Sequence, residues 1–388
     1  MLNKIFVILA NIIYSLFKLL PTQNKLTMIS RQSNKNTLDF NLIDEEIKKE
    51  KLGIKVKILC HKLDGGAKAK LSVKIRYIFH CFNQMYNIAT SKVVLLDSYC
   101  ILISILKHKK SLKVIQMWHS MGTMKKFGYQ IIGLKEGSSA KLAEQMKMHK
   151  NYDFVFASSE AYAQNLADGF GCSVEKVRIY PLPRVDLLVS ESYKNEIRKK
   201  IEGIYPNLME KKNIVYCPTF RKNEEEMQKA LEKLINSVNY EKYNLIIKLH
   251  PLSKITINND RVIKDEMFST FDMLFVADFV ISDYSCVIYE AALLDIPLFF
   301  YAFDLPKYLE NRGLAIDYQK ELPGIISKDI SEILKSIEDN TYNYEKLKEF
   351  KNKYIKKQKD CTKDIVNFIN ELITGIQKET KSKELVKI

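Results

Sequence analysis

Short apolar runs alternate with helical segments along most of the 388-residue chain, and this alternation limits the possible folds more than any other feature. The predicted strands cover residues 26–30, 56–60, 93–96, 114–117, 154–157, 177–179, 214–217, 245–249, 279–281 and 298–301. Strands separated by helices pair in parallel through right-handed crossovers, so the pattern predicts an α/β protein with doubly wound sheets. The chain is too long for one ordinary core, and we therefore expect two such domains.

The stretch 181–206 carries three prolines and a charged helix, which is typical of a connection between domains. We expect a first Rossmann-like domain at residues 22–190 and a second at 191–335, facing each other across a central cleft. A Lys-rich helical segment is predicted for residues 336–388.

An almost continuous apolar run covers residues 5–20 and is stopped by Pro21. Its polar residues Lys4, Asn11, Ser15 and Lys18 fall on one narrow face of a helix. A bilayer crossing needs about 20 apolar residues, so the run is short for a span. Residues 1–21 therefore predict an amphipathic helix in the membrane interface. The alternative is a helix buried against the first domain.

The net charge of +15, from 61 Lys and Arg against 46 Asp and Glu, implies an anionic partner. The lysines are dispersed and no nucleic-acid-binding motif is present, which favours an acidic membrane or a phosphorylated substrate over nucleic acid. One basic cluster, formed by Lys107, Lys109, Lys110 and Lys113, is expected on the membrane-facing side. Seven scattered cysteines without a C-x-x-C pair indicate reduced thiols in a cytosolic protein.

Polar residues gather directly after predicted strands, where ligands bind in α/β folds. Trp118, the only tryptophan, and His119 end one strand, and Lys125 and Lys126 follow between two glycines. His119 could act as a base near neutral pH, with the lysines supplying positive charge. A core tryptophan beside a structurally hydrogen-bonded histidine is the alternative.

Three further clusters follow strands of the second domain. They contain Thr219 and Arg221 in C-P-T-F-R, His250 in K-L-H-P, and Ser282, Asp283 and Ser285 in I-S-D-Y-S. Arg221 could hold a phosphate bidentately, and the serines and the aspartate could cap a helix opening near Cys286. That helix start offers backbone N–H groups to a phosphate. Together these clusters predict a site for a nucleotide diphosphate.

Five ordered motifs then carry a resemblance. The segments W-H-S-M-G-T-M-K-K-F-G, Y-P-L-P-R-V-D, Y-C-P-T-F-R, K-L-H-P and I-S-D-Y-S-C-V-I-Y-E-A-A-L-L-D-I-P resemble the CDP-glycerol glycerophosphotransferase family of teichoic acid synthesis, across residues 26–304. The resemblance implies a GT-B fold and a peripheral, monotopic attachment to the cytoplasmic face of the cell membrane. It also implies transfer of a polyol phosphate from a CDP-polyol to a polyprenyl diphosphate-linked glycan, with release of CMP.

The resemblance also assigns roles to residues. Residues 22–190 become the acceptor side and 191–335 the donor side. His119 matches the general base; a protonated His250 joins the catalytic set. The remaining assignments are Arg221, Thr219, Ser282, Asp283 and Ser285 for donor binding, Trp118, Lys125 and Lys126 for the acceptor and membrane side, and Arg184 and Asp186 for the junction.

The chain departs from the family pattern at two places. The family usually has W-H-G-T-P where this chain has W-H-S-M-G at residues 118–122, with one extra residue before the lysine pair. Cys286 replaces a second serine. These changes do not alter the expected reaction class, but the identities of the acceptor and of the polyol stay open. No D-x-D pair is evident, so no metal ligand is assigned; protein cations are expected to carry the phosphate charge. A Mg²⁺ ion accompanying the CDP-polyol stays open.

Glycerol phosphate is the first expectation for the transferred group and ribitol phosphate the alternative. The small size beyond two core domains favours a single addition over polymerisation. A GT-B glycosyltransferase using a nucleotide sugar is a second alternative, which would release a nucleoside diphosphate instead of CMP. A catalytically silent membrane-associated module is a third, which turnover of a CDP-polyol would exclude.

Overall fold

The computed structural model of the chain describes residues 2–63, 65 and 69–376. Within these ranges the chain forms two parallel sheets of six strands each. The prediction of two doubly wound Rossmann-like domains is confirmed.

The first sheet has the strand order β2-β1-β3-β4-β5-β6. Its domain contains α1 (Leu2–Phe17), β1 (Gln23–Ser30), α2 (Leu38–Lys49), β2 (Lys55–Cys60), α3 (Leu71–Thr90), β3 (Ser91–Leu96), α4 (Ile101–Ile105), β4 (Lys113–Gln116), α5 (Ala140–Gln145), β5 (Phe154–Ala157), α6 (Ala163–Phe170), β6 (Val177–Ile179) and α7 (Arg184–Leu188).

The second sheet has the order β12-β11-β10-β7-β8-β9. The elements from the junction onward are α8 (Glu191–Ile204), β7 (Lys212–Cys217), α9 (Glu225–Ser237), β8 (Tyr243–Ile247), β9 (Val262–Ile263), α10 (Thr270–Met273), β10 (Phe279–Ser282), α11 (Val287–Leu293), β11 (Leu298–Tyr301), α12 (Leu305–Asn311), α13 (Tyr318–Glu321), β12 (Ile326–Ser327), α14 (Ile330–Glu338), α15 (Tyr344–Tyr354) and α16 (Cys361–Thr374).

The central strands are apolar on both faces because helices cover both sides of each sheet. Four consecutive residues of β3, Val93 to Leu96, are fully buried, and Val280 and Ile281 of β10 are equally enclosed. Such runs have no alternation of polar and apolar residues. Length and flanking turns therefore identified these strands, and their polar ends meet at the carboxyl edge of each sheet.

The predicted C-terminal segment is divided between the two domains over its described part. Helix α15 packs on α11 of the second domain, whereas α16 crosses back and packs on α2, β1 and β3 of the first. The apolar face of α16, with Ile365, Val366 and Ile369, is almost completely buried there. The residues 377–388 of the prediction lie outside the described part of the chain.

Helices α1 and α3 pack on each other and expose one apolar surface. The side chains of Ile8 and Leu16 on α1 are 59% and 66% exposed, and those of Leu71 and Phe79 on α3 are 73% and 69% exposed. None of the helices in the described part of the chain combines the length and hydrophobicity that a bilayer crossing requires.

Asn11 on the polar face of α1 and the neighbouring Tyr14 are bonded to the first domain. The Asn11 amide donates to the carbonyl of Ile105 at 3.0 Å, and its oxygen accepts from the backbone N–H of Lys107 at 2.8 Å. The Tyr14 hydroxyl lies 3.1 Å from Nδ1 of His108. The alternative of a helix buried against the first domain holds for one side of α1, where Ala10 and Tyr14 belong to the core. The other apolar side of the helix, which includes Ile8 and Leu16, faces outward.

One predicted helix is much shorter than expected. The sequence favoured a helix over residues 136–150, but α5 covers only Ala140–Gln145. Lys147, His149 and Asn151 all have positive φ, between 47° and 71°, which an α-helix cannot contain. The chain instead winds tightly before β5, and the sequence pattern gave no sign of this because the apolar spacing continues through it.

Candidate active site

A cavity of about 390 Å³ lies between the two domains. The first domain lines it with Trp118, His119, Lys125 and Arg184, and the second with Ser285, Cys286, Glu290 and Arg312. Both sheets present carboxyl ends to this space, which is the place where α/β folds bind ligands. The cavity therefore brings together residues that are far apart in the sequence.

The strand that leads into the cavity ends in a strained residue. Trp118 has φ of 67°, a left-handed conformation that costs a bulky residue about 1–3 kcal/mol. The side chain of Gln116 accepts from the Trp118 backbone N–H at 3.0 Å, and the Trp118 ring packs on Phe127 at a centroid distance of 4.7 Å. These contacts hold the turn, and the turn directs His119 away from the sheet.

His119 is oriented by a single backbone contact. Its Nδ1 lies 3.1 Å from the carbonyl oxygen of Asp97, which can only accept, so Nδ1 carries the proton. The Nε2 atom is left with its lone pair. Burial lowers the pKa of His119 to about 4, and the positive charges of Arg184 and Lys125 act in the same direction. The imidazole is therefore neutral at pH 7 and able to accept a proton.

Arg184 joins the domains in front of His119. Its guanidinium donates through Nε and Nη2 to Asp39 of α2, and its Nη1 lies 3.6 Å from Glu290 of α11. Burial opposes the charge, but Asp39 and Glu290 together raise the pKa of Arg184 above its ordinary value. The predicted junction position of Arg184 agrees with this geometry.

Asp186 acts on the other side of the junction. Its two carboxylate oxygens accept from the backbone N–H groups of Cys361 and Thr362 at 2.9 and 2.8 Å. These are orphan donors at the start of α16. The P-R-V-D element thus places Arg184 on the cavity and uses Asp186 to fix the helix that returns to the first domain.

Lys125 and Lys126 contact the second domain, whereas the prediction placed them on the acceptor and membrane side. The Lys125 ammonium lies 3.4 Å from the hydroxyl of Thr219, and the backbone N–H of Lys126 donates to Gly313. Burial lowers the pKa of Lys125. Trp118 is also not on a membrane surface, because it packs among Phe127 and other core rings.

Gly122 permits the close approach of the two domains in this loop. A Cβ atom at this position would lie 2.5 Å from the ring of Tyr289 on α11, so only glycine fits. The close contact between the two domains therefore explains why the motif has glycine at position 122.

The donor-side loops are held by buried ion pairs, which revises the role predicted for Arg221. Its Nε and Nη2 donate to Asp304 at 3.0 and 2.9 Å, and Nη1 donates to Asp283. Burial alone would lower the pKa of the guanidinium, but Asp283 and Asp304 raise it above its ordinary value. The fork that would grip a phosphate is already occupied by a carboxylate, so bidentate phosphate binding does not fit.

The I-S-D-Y-S segment caps α11 only through Ser285, whose hydroxyl accepts from the backbone N–H of Val287 at 3.5 Å, and its other predicted capping residues have different partners. The Ser282 hydroxyl is fully buried and donates to the Cys217 carbonyl at 2.8 Å. Asp283 accepts from the backbone N–H of Thr219 at 2.9 Å. The N-cap of α11 is Cys286, whose side chain makes no capping hydrogen bond. Of the predicted set, Ser285 is the residue that lines the cavity.

His250 lies two residues after Lys248, whose hydrogen bonds hold the loop in place. Lys248 donates to the carboxylate of Asp265 at 2.7 Å and to two carbonyls of the same loop. The backbone N–H of Leu252 donates to Nδ1 of His250 at 3.2 Å, so Nε2 bears the proton. Partial burial lowers the pKa of His250, and Lys125 and Lys62 lower it further. Without an anion His250 is thus a neutral hydrogen-bond donor, not the predicted protonated form.

With this geometry established, comparison with known proteins is informative. The family description "CDP-Glycerol:Poly(glycerophosphate) glycerophosphotransferase" matches residues 12–371. The chain belongs to this family. The glycerophosphotransferase family assigned from the motifs is thereby confirmed, and the chain is a transferase.

Two primases and one polymerase illustrate what this member of the glycerophosphotransferase family is similar to. The teichoic acid ribitol-phosphate primase of Bacillus spizizenii is 30% identical over 371 residues, which cover 92% of this chain and 94% of the relative. The teichoic acid glycerol-phosphate primase of Bacillus subtilis is 32% identical over 303 residues, which cover 76% and 77%. The wall teichoic acid polymerase TagF superposes with a TM-score of 0.75 at 18% identity, over 97% of this chain and 98% of that one. The GT-B expectation is confirmed.

Three residues that the motifs did not single out complete the glycerophosphotransferase site. Asp97 follows β3 and orients His119, Glu290 pairs with Arg184, and Asp304 pairs with Arg221. One carboxylate oxygen each of Asp97 and Glu290 is buried without a partner among the described residues. Burial raises the pKa of Asp97 to about 6 and raises that of Glu290 as well. Asp97 could have been found from the sequence, because it is a polar residue directly after a predicted strand.

The residues present do not fit a resident metal ion. Asp283 and Asp304 are the carboxylates nearest the donor-side loops, and both are paired with Arg221. In the described part of the chain, no group of three His, Cys, Asp or Glu side chains could hold a metal. A Mg²⁺ ion carried by the diphosphate of the donor remains a prediction.

Proposed function

We propose that this chain transfers a polyol phosphate from a CDP-polyol to a hydroxyl of a lipid-linked surface-polymer acceptor. The observation that carries the proposal is the unprotonated Nε2 of His119, which faces a cavity shared by the two domains of this family's fold. A neutral, oriented imidazole is suited to take a proton from an acceptor hydroxyl.

The chemistry follows from the two sides of the cavity. His119 removes the hydroxyl proton while the acceptor oxygen attacks the β-phosphorus of the donor. The bond between that phosphorus and the bridging oxygen breaks, and CMP leaves with the electron pair. Lys125 and the Nε2–H group of His250 lie on the side from which the leaving phosphate can be stabilised, since Lys125 contacts Thr219 at the donor-side edge.

A product assay tests the reaction. The purified chain would be incubated with CDP-glycerol, CDP-ribitol or UDP-N-acetylglucosamine and a lipid-linked disaccharide, and products would be weighed by mass spectrometry. We expect release of CMP and an acceptor heavier by one glycerol phosphate or ribitol phosphate, with the better CDP-polyol naming the substrate. Release of UDP with addition of a sugar would instead establish the glycosyltransferase alternative.

The apolar surface of α1 and α3 supports attachment to the cytoplasmic face of a membrane. The exposed side chains of Ile8, Leu16 and Phe79 would enter the interface, while the polar face of α1 stays hydrogen-bonded to the domain. Lys109 lies beside the end of α1, where its ammonium donates to the Leu20 carbonyl at 2.6 Å, and would add attraction to anionic lipid.

Substitutions on the exposed apolar face of α1 test membrane binding without disturbing the folded domain. Ile8→Glu with Leu16→Glu should release much of the protein from phosphatidylglycerol vesicles without changing the melting temperature, because both side chains are mostly exposed. The control Ser15→Glu adds one of these two charges to the same helix, outside its apolar face, and should release less than half as much. Equal release by the control, or unchanged binding of the double variant, would contradict membrane attachment through α1.

A further inference from the structure

A group of polar and aromatic side chains lies between the apolar face of α3 and His119. It consists of Arg31 after β1, His61 after β2, and Tyr77 and His80 on the inner face of α3. The ring centroids of His61 and His80 are 4.8 Å apart, and those of His61 and Tyr77 are 5.6 Å apart. We call these four residues the α3 cluster; the reaction proposed above makes no use of them.

The charge of the α3 cluster is uncompensated. The Arg31 guanidinium donates to the Tyr99 carbonyl at 3.3 Å and contacts the Tyr77 hydroxyl, but its Nε is buried without a hydrogen-bond partner. No carboxylate among the described residues lies within ion-pair distance of Arg31, whereas Arg184 and Arg221 are both paired with aspartates. A buried arginine N–H without a protein acceptor is available to an anionic group.

The position of the cluster points to the source of the anion. Helix α3 begins beside the carboxyl edge of the sheet, and Leu71, Ile75 and Phe79 on its outer face are exposed. Tyr77 and His80 lie on the opposite face of the same turns. The cluster is therefore about one helix diameter, roughly 10 Å, from the apolar surface. An anion at this depth would belong to the headgroup of a membrane-anchored molecule.

The cluster is also connected to the catalytic base. The strand order places the ends of β2, β1, β3 and β4 side by side, so that Arg31 and His119 are separated by two strand spacings, about 10 Å. Gln32, the residue after Arg31, reaches His119 from this side, with its side-chain amide 3.5 Å from Nδ1 of His119. That separation leaves room for sugar units between an anchored anion at Arg31 and a reacting hydroxyl at His119.

We propose that Arg31, His61, Tyr77 and His80 bind the diphosphate of a polyprenyl diphosphate-linked acceptor; this inference rests on the function proposed above. The guanidinium of Arg31 supplies the permanent charge and a planar pair of donors. Burial lowers the pKa of His80 to about 4, so His80 is neutral and donates one hydrogen bond. The basic cluster at residues 107–113 does not fill this role, because Lys113 begins β4 at the opposite edge of the sheet.

Binding to vesicles of defined composition tests the proposal without requiring catalysis. Phosphatidylcholine vesicles would carry decaprenyl diphosphate, decaprenyl monophosphate or phosphatidylglycerol, and the dissociation constant of the full chain would be measured for each. We expect Arg31→Gln to lower the preference for diphosphate over monophosphate about tenfold, the loss typical of one hydrogen bond to a charged group. Tyr77→Phe, which removes one hydroxyl and keeps the ring, should lower it several-fold.

The control variant is Lys110→Gln, which removes one exposed charge at the opposite edge. It should weaken binding to phosphatidylglycerol vesicles and leave the diphosphate preference unchanged. If Arg31→Gln and Tyr77→Phe both keep the wild-type preference, the proposal is wrong. It is equally wrong if they weaken phosphatidylglycerol binding by the same factor, because the anion would then be bulk lipid.

A second measurement separates this proposal from the reaction itself. Release of CMP with a soluble acceptor that lacks the diphosphate should be unchanged in Arg31→Gln, whereas KM for the diphosphate-linked acceptor should rise. A wild-type protein that binds decaprenyl diphosphate selectively but releases no CMP would overturn the proposed function and leave the binding site standing.

Discussion

The polar residues at the carboxyl edges of the two sheets differ in how completely they are paired. At the first edge, the lone pair of His119, one oxygen of Asp97 and the Nε of Arg31 lack partners among the described residues, and Trp118 is strained. At the second edge, Arg221, Asp283 and Lys248 are paired with one another or with neighbouring groups. Unsatisfied groups and strain are common at functional sites. The comparison therefore favours the first edge as the place of proton transfer and loop rigidity as the role of most of the second.

The largest expected effect is on turnover at the first edge. His119→Ala should lower kcat about 10²–10⁴-fold, the usual cost of losing a general base. The affinity for CDP-polyol, measured by calorimetry, should change little because His119 is held by the first domain. A variant that keeps more than a tenth of wild-type turnover would show that His119 is structural and that the contrast between the edges is mistaken.

A large effect of another kind is expected at the second edge. Arg221→Gln leaves Asp283 and Asp304 buried without their partner, which should cost about 3–5 kcal/mol of unfolding free energy. Denaturant unfolding would measure this loss, with the exposed Arg198→Gln as the matched control. Unchanged stability together with lost donor affinity would return Arg221 to its predicted role as a phosphate ligand.

His250 provides the intermediate case, since it belongs to the second edge but is exposed. His250→Ala should raise KM for the CDP-polyol about tenfold through loss of one hydrogen bond to a charged group. The melting temperature should stay the same, because among the described residues this side chain hydrogen-bonds only to the backbone of Leu252. Donor affinity equal to that of the wild type would remove His250 from the diphosphate site.

The smallest expected effect is a shift of the pH profile of kcat/KM toward acid pH. Because the pKa of His119 is lowered to about 4, the base stays unprotonated far below pH 6.5. The acid limb of kcat/KM should therefore lie nearer pH 4 than pH 6.5. The unfolded chain binds this proton at about pH 6.5, so stability falls as pH drops from 6.5 toward 4, by about 1.4 kcal/mol per pH unit. An acid limb near pH 6.5 would contradict this prediction and show that His119 is solvated.

The sequence predicted the strands and the cavity position of His119 well, because both depend on local patterns. An apolar run that ends in polar residues identifies a strand end whatever the rest of the chain does. The same logic failed for Arg221 and Ser282. Their place after a strand was correct, but the partner of Arg221 is Asp304, more than eighty residues away, and Ser282 donates to a carbonyl of a neighbouring strand.

Helix α1 shows the same limit in a different way. The spacing of Asn11, Ser15 and Lys18 correctly gave α1 a polar face. It could not show that Asn11 on this face hydrogen-bonds to the end of α4 instead of facing water. Periodicity reports which residues share a face, and only the assembled fold decides what that face meets.

The return of α16 to the first domain has a consequence for biosynthesis. The first sheet is translated early, but part of its covering layer, including Ile365 and Ile369, is among the last described residues to leave the ribosome. The second domain can therefore complete its core while the first still exposes apolar surface near β1 and β3. A chain stopped before residue 361 should consequently be lost from cells through failure of its N-terminal half, even though that half would be intact in sequence.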